Sequence, residues 1–292
     1  MTRTLFHFSV MALVSVKGSA VMAMASANYP NNTASATQVV ASPPHSATYT
    51  VMDGATVRVT SSVALGPAST FVSARLGRLG LSYVHLVGGP LALPSSLAAS
   101  PEIAIGMRFH EEYALQGGRL RLGSGDQPVG SDGARHGEVG PGGRGRPSLV
   151  HLGAWYGKSF SLHVIRYGGE RHTLLPIFDQ FEIEERADGI SCLPKDRATT
   201  SFIEGPGLIV NVPKLGILET TRLTKSVASG LPRYEGTRVR GGELFVNNLR
   251  QANMFFVLVG KTSRTTLMPA HGAPESRLVD GLANLDVTWQ PG

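Results

Sequence analysis

Apolar residues in this chain alternate with polar ones over short runs, and a glycine or proline turn signal interrupts nearly every run. Ile103, Ile105, Met107 and Phe109 fall two apart within 102–109, and the same spacing recurs in Thr56–Thr60 and Leu81–Val87. Within 159–167 it places Phe160, Leu162 and Val164 on one side, and it returns with Phe181 and Ile183 and with Leu285, Val287 and Trp289 in 284–289. A period of two is that of a strand with one face buried. Leu208–Val212, Ile217–Leu223, Glu243–Val246 and Met254–Val259 are further strand-like runs, and Gly168-Gly169, Asp188-Gly189, Gly205-Pro206-Gly207, Gly241-Gly242 and Asp280-Gly281 mark turns between them. With 35 Gly and 18 Pro in 292 residues, a helical bundle or coiled coil is excluded. Ser95–Ala99 is the one helical stretch the pattern predicts. The expected fold class is mainly β, antiparallel and β-sandwich-like, in two β-rich domains joined by a Gly/Arg-rich linker.

Five segments are expected. Residues 1–27 read as a signal peptide, with Arg3, a mostly apolar run Leu5–Val16 and the small-x-small site Ala25-Ser26-Ala27. That run is too short to span roughly 30 Å of hydrocarbon as a helix, so membrane contact is expected only in transit and the location is secreted, periplasmic or cell surface; His7 inside the run and Lys17 behind it leave an uncleaved, weakly inserted anchor as the rival expectation. Residues 28–46 form a polar N-terminal extension containing the sequon Asn31-Asn32-Thr33, and residues 47–116 an N-terminal β-rich domain. In residues 117–147 glycines are dense and apolar residues nearly vanish after Leu122, the composition of a linker or long loop that cannot offset its ordering entropy. Residues 148–292 form a C-terminal sandwich-like domain. The net charge of +6 drops by two when Arg3 and Lys17 leave with the signal peptide. It is too low and too scattered to require nucleic acid. A single cysteine, Cys192, excludes an internal disulfide and a thiolate zinc site.

Motifs that carry chemistry are incomplete. Gly140-Pro141-Gly142-Gly143-Arg144-Gly145 has the glycine spacing of a dinucleotide loop but no strand before it and no helix after it. Gly153–Ser159 is one residue short of a phosphate-cradling loop, and no Gly-x-Ser-x-Gly occurs. No cofactor is therefore expected. His151, His163 and His172 are close enough in sequence for adjacent strands to bring three imidazoles to a zinc or copper ion; against this, His163 sits on the polar side of its strand. The acidic group Asp179, Glu182, Glu184, Glu185 and Asp188 is the densest in the chain, and Glu182 with Glu184 share one strand face, as a carboxylate pair for glycoside hydrolysis would. A solvated strand face has the same pattern. Cys192 reads as a buried small hydrophobe.

Two functional expectations follow. The first is an exported non-catalytic binding or surface/assembly protein, similar in layout to pilus subunits and two-domain adhesins though sharing no motif with them. Its expected partner is another protein chain through an exposed sheet edge, or a surface ligand. The strand of residues 284–289 would lie at or near such an edge, and the extension, through Thr37-Gln38-Val39-Val40, would reach a neighbour. The second is an exported polysaccharide-acting hydrolase using Glu182 and Glu184. Export itself is testable: protein recovered from its native host should begin at Asn28 by intact mass, and a mass that retains Met1–Ala27 refutes cleavage.

Overall fold

The computed structural model describes residues 45–91, 108–126, 149–167, 171–231, 234–249, 253–270 and 272–291. The expected signal peptide, most of the N-terminal extension and the expected helix Ser95–Ala99 lie outside them. The chain is mainly β. β1 (His45–Thr50) and β2 (Thr56–Ser61) form a hairpin, followed by β3 (Ala68–Leu76) and β4 (Leu81–Pro90). β5 (Arg108–Leu115) turns through Gln116-Gly117 into β6 (Gly118–Asp126); β7 (Leu149–Tyr156) and β8 (Phe160–Tyr167) make the next hairpin. A short helix α1 (Leu174–Asp179) leads to β9 (Phe181–Arg186), β10 (Gly189–Pro194) and β11 (Thr200–Phe202). β12 (Gly207–Val212) and β13 (Gly216–Arg222) precede α2 (Lys225–Ser229), whose first turn is capped by the Thr224 hydroxyl. β14 (Thr237–Val239), β15 (Gly242–Leu249), β16 (Asn253–Val259), β17 (Ser263–Pro269), α3 (Glu275–Ala283) and β18 (Asp286–Gln290) complete the described chain.

Two sheets face each other. The smaller has the order β18-β2-β1-β10-β9. The larger runs β14-β15-β16-β17-β13-β12-β3-β4-β8-β7-β6-β5, with β11 also on β3. Within them only the β1–β10 contact is parallel. Two cores fill the space between. In the first, Val57, Val59, Val287 and Trp289 of the smaller sheet and Leu278 and Leu282 of α3 meet Leu208, Val210, Leu218, Phe256, Leu258 and Leu267 of the larger. In the second, Ile177 and Phe178 of α1, Phe181 and Ile183 of β9 and Ile190 and Cys192 of β10 meet Val72, Leu86, Leu120, Leu122, Leu162 and Val164. Burying each such side chain contributes about 1.5–3 kcal/mol. As expected, Leu285, Val287 and Trp289 are core residues, the last two on the marginal strand β18 and Leu285 just before it.

Strand pairing runs across the expected segment bounds. Residues 118–126, expected as linker, are strand β6, hydrogen-bonded to β5 on one side and β7 on the other. Leu120 and Leu122 are fully buried between Arg119 and Arg121, so a period of two persists beneath the glycines. Residues 127–147 lie outside the described residues. Pairing also crosses the proposed boundary: β2 bonds to β18, β3 to β12 and β4 to β8, so among the described residues the two expected domains share both sheets. His45 and Ser46, assigned to the polar extension, begin β1.

Close approach of α1 to β7 needs a residue without a side chain. A Cβ at Gly153 would stand 2.5 Å from the Phe178 ring, which is itself buried. Gly153→Val should therefore cost about 1–3 kcal/mol, read as a lower urea midpoint with unchanged slope. An unchanged midpoint would mean that α1 does not hold Phe178 against β7.

Candidate functional site

The smaller sheet is nearly divided along its middle. β1 and β10 share one bridge, Thr50 with Gly189, supported by the Thr50 N–H donating to the Asp188 carbonyl (3.1 Å) and the Cys192 N–H donating to the Met52 carbonyl (2.9 Å). Backbone groups alternate in direction along a strand. Because Thr50 turns its N–H toward β10, Thr48 and Ser46 turn theirs the same way, beyond the point where β10 begins. No described strand pairs with them there. Beside this flank a slot of about 200 Å³ opens through the smaller sheet onto the larger one. Tyr49 and Thr50 form one wall, Asp188, Gly189 and Ile190 the other, with Pro90 and Phe160 at the end and Thr70, Gly88 and Leu208 beneath. The Thr50 hydroxyl donates to Asp188 Oδ1 at 2.6 Å, which fixes that carboxylate at the slot wall. Burial pushes the Tyr49 phenol above its ordinary pKa.

A second cleft, of about 380 Å³, lies on the other side of the β9–β10 turn among Gln116, Trp155, Lys158, Ser159, Glu185 and Arg186. Its Glu185 and Gln116 side chains are engaged in holding the fold. Glu185 accepts from the backbone N–H of Lys158 (2.8 Å) and of Ser159 (2.6 Å). Gln116 donates from Nε2 to the Phe181 carbonyl and accepts at Oε1 from the Ile183 N–H, both at 2.9 Å, standing in for a neighbouring strand on β9. The margin at β18, expected as an open edge, is closed in the same manner: the Ser263 hydroxyl donates to the Val287 carbonyl (2.9 Å), and the Trp289 N–H donates to the Thr262 hydroxyl (3.0 Å).

The residues singled out in the sequence are not gathered. The β6–β7–β8 register puts His151 opposite Arg166 on the face of the second core and His163 opposite Ala154 on the other face. His172 is exposed, and no three potential ligands converge among the described residues. Glu182 and Glu184 both point to solvent and line neither cleft. Arg186 bonds Glu184 at 2.9 Å and holds its carboxyl below the usual range, opposite to the direction a general acid requires. Cys192 is fully buried, which pushes its thiol far up and leaves no thiolate. Of the acidic group singled out in the sequence, Asp188 lines the slot and Glu185 the second cleft. Sequence reasoning missed two Ser–His contacts, Ser73 Oγ with His85 Nδ1 and Ser124 Oγ with His110 Nε2, each at 3.3 Å; neither pair lines a cleft.

No family model matches the chain, and no curated protein or solved structure matches it. Among the described residues no helix is long and apolar enough to cross a membrane.

His163 gives the fold a pH dependence of definite sign. Burial lowers its pKa from the ordinary 6.5 to about 4, and its Nε2 has no hydrogen-bond partner. Between those values the unfolded chain takes up a proton that the folded chain refuses, so stability is full above pH 6.5 and falls as the pH drops toward 4. The loss at pH 4.5 should be roughly 2–3 kcal/mol. His163→Leu should flatten this part of the profile in urea titrations at pH 7 and 4.5; a variant with the wild-type slope would place the titration elsewhere.

Proposed function

We propose that this chain is an exported, non-catalytic binding protein of the surface or assembly kind, and that it takes an extended segment of another polypeptide as an added strand on β1. One observation carries the reading: among the described residues the β1 flank from Ser46 to Thr48 has no partner strand, and it lies next to a slot large enough for a side chain. Strand addition needs these two elements together. Main-chain hydrogen bonds supply affinity, and a pocket for an alternate side chain supplies specificity. Other sheet margins suit the role less well. Those at β9 and β18 are capped by side chains, and β14 has three residues. β5 is longer, but it carries a register shift at His110 and the charged pair Glu111 and Glu112, features that blunt an edge. Export rests on the signal-like residues 1–27.

Heptapeptides selected from a displayed random library on the folded protein supply the test. Bound peptide should slow hydrogen exchange at the Thr48 amide. Thr48→Pro removes the outward N–H without touching the β2 side of the strand, and should weaken binding at least tenfold while moving the melting temperature by no more than about 3 °C. Protection at Glu112 and Ala114 instead would move the site to β5. Binders indifferent to Thr48→Pro would refute addition on β1.

A further inference from the structure

We infer that the slot beside β1 selects a lysine or arginine side chain in the added strand; this rests on the strand-addition reading above and names what that site prefers. Among the described residues lining the slot, Asp188 carries the one carboxyl group. Its Oδ1 takes the Thr50 hydroxyl at 2.6 Å, and its Oδ2 has no donor among the described residues. On the same hairpin, Arg186 is bonded to Glu184 at 2.9 Å and acts on Asp188 as a charge through space, with no ion pair between them among the described residues. The remainder of the wall is apolar or weakly polar, with Phe160, Pro90, Leu208 and Tyr49 able to flank an aliphatic stem.

These features match a long basic side chain part by part. The methylenes of Lys or Arg bury along apolar surface while the cation reaches a carboxylate, and a charge-assisted hydrogen bond there is about twice as strong as a neutral one. An aliphatic side chain of equal length would cover Asp188 and strip its water without returning a donor, which is costly for a carboxylate. An acidic side chain would add like-charge repulsion in a site partly withdrawn from solvent. About 200 Å³ holds one such side chain, so selection acts at a single position of the bound strand.

The probes are the heptapeptides Thr-Val-Thr-Xaa-Thr-Val-Thr with Xaa as lysine, norleucine or glutamate, titrated by fluorescence anisotropy against the full chain. The lysine peptide should bind at least tenfold more tightly than the norleucine peptide, and the glutamate peptide most weakly. In Asp188→Asn, which keeps an acceptor for Thr50, the lysine preference should fall to less than threefold, through weaker lysine binding and tighter norleucine binding. Equal affinity for lysine and norleucine, or a preference that survives Asp188→Asn, would overturn the inference. Capped single residues, N-acetyl-lysine and N-acetyl-norleucine methylamides, followed by NMR, separate this claim from the one beneath it. Shifts at Asp188 with the lysine compound alone, together with failure of every heptapeptide, would keep the slot preference and refute strand addition; no shift and no peptide binding would refute both.

Discussion

β3 holds the molecule together by having partners from three separate stretches of chain. Its one side is occupied by β4 along most of its length, while its other side is shared by β12 over residues 68–71 and by β11 over residues 74–76. The large sheet is therefore continuous, and neither half can leave without exposing a row of N–H and C=O groups, each costly to strand away from water. The two cores sit on one face of that sheet, to either side of β3. Each needs its own cover, and the smaller sheet supplies both, with β2 and β18 over one half and β9 and β10 over the other. The weak point of the smaller sheet, the single β1–β10 bridge, lies where the two covers meet above β3. The seam is thus a consequence of covering two cores with one sheet.

Margins are handled by side chains more than by additional strands. Gln116 serves β9 from the tip of a two-residue turn in which both Gln116 and Gly117 have positive φ, the geometry of a tight hairpin compatible with strand twist. Thr262 and Ser263 serve β18 from the β16–β17 turn, tying the last strand of one sheet to the other. Each bond contributes about 1 kcal/mol net, a modest amount, yet it removes a template on which a foreign strand could form. Against that background, the open flank at Thr48 and Ser46 stands out as a place where the same device is absent among the described residues.

How much was legible in the sequence follows from which faces are buried. β2, β9, β13 and β18 alternate cleanly because one face meets a core and the other meets water, and all were read correctly. β7 was not read, because Val150, Leu152 and Ala154 are buried on one face while His151 and Trp155 are buried on the other, which erases the period. β17 hides for a different reason: its buried positions include Ser263 and Thr265, whose hydroxyls are hydrogen-bonded and so tolerate burial. β6 was masked by its glycines. α1 and α3 are too short for a helical period to accumulate. The seam was invisible for a further reason: it depends on Thr50 meeting Asp188 across 138 positions of sequence, and no local pattern encodes a pairing of that range.

The acidic segment places its carboxylates in three different surroundings. A carboxylate pair for glycoside cleavage needs one acid held protonated by its surroundings and both members facing the same substrate. Here Glu182 and Glu184 face open solvent, where charge is stable, and Arg186 further favours the ionised Glu184. Glu185 faces inward, but both of its oxygens are taken by backbone N–H groups that brace the β7–β8 turn. Asp188 has one oxygen tied to Thr50 and lines a slot that holds no second acid and no base among the described residues. A single anchored carboxylate among rings and hydroxyls can attract a cation and fix where that cation sits.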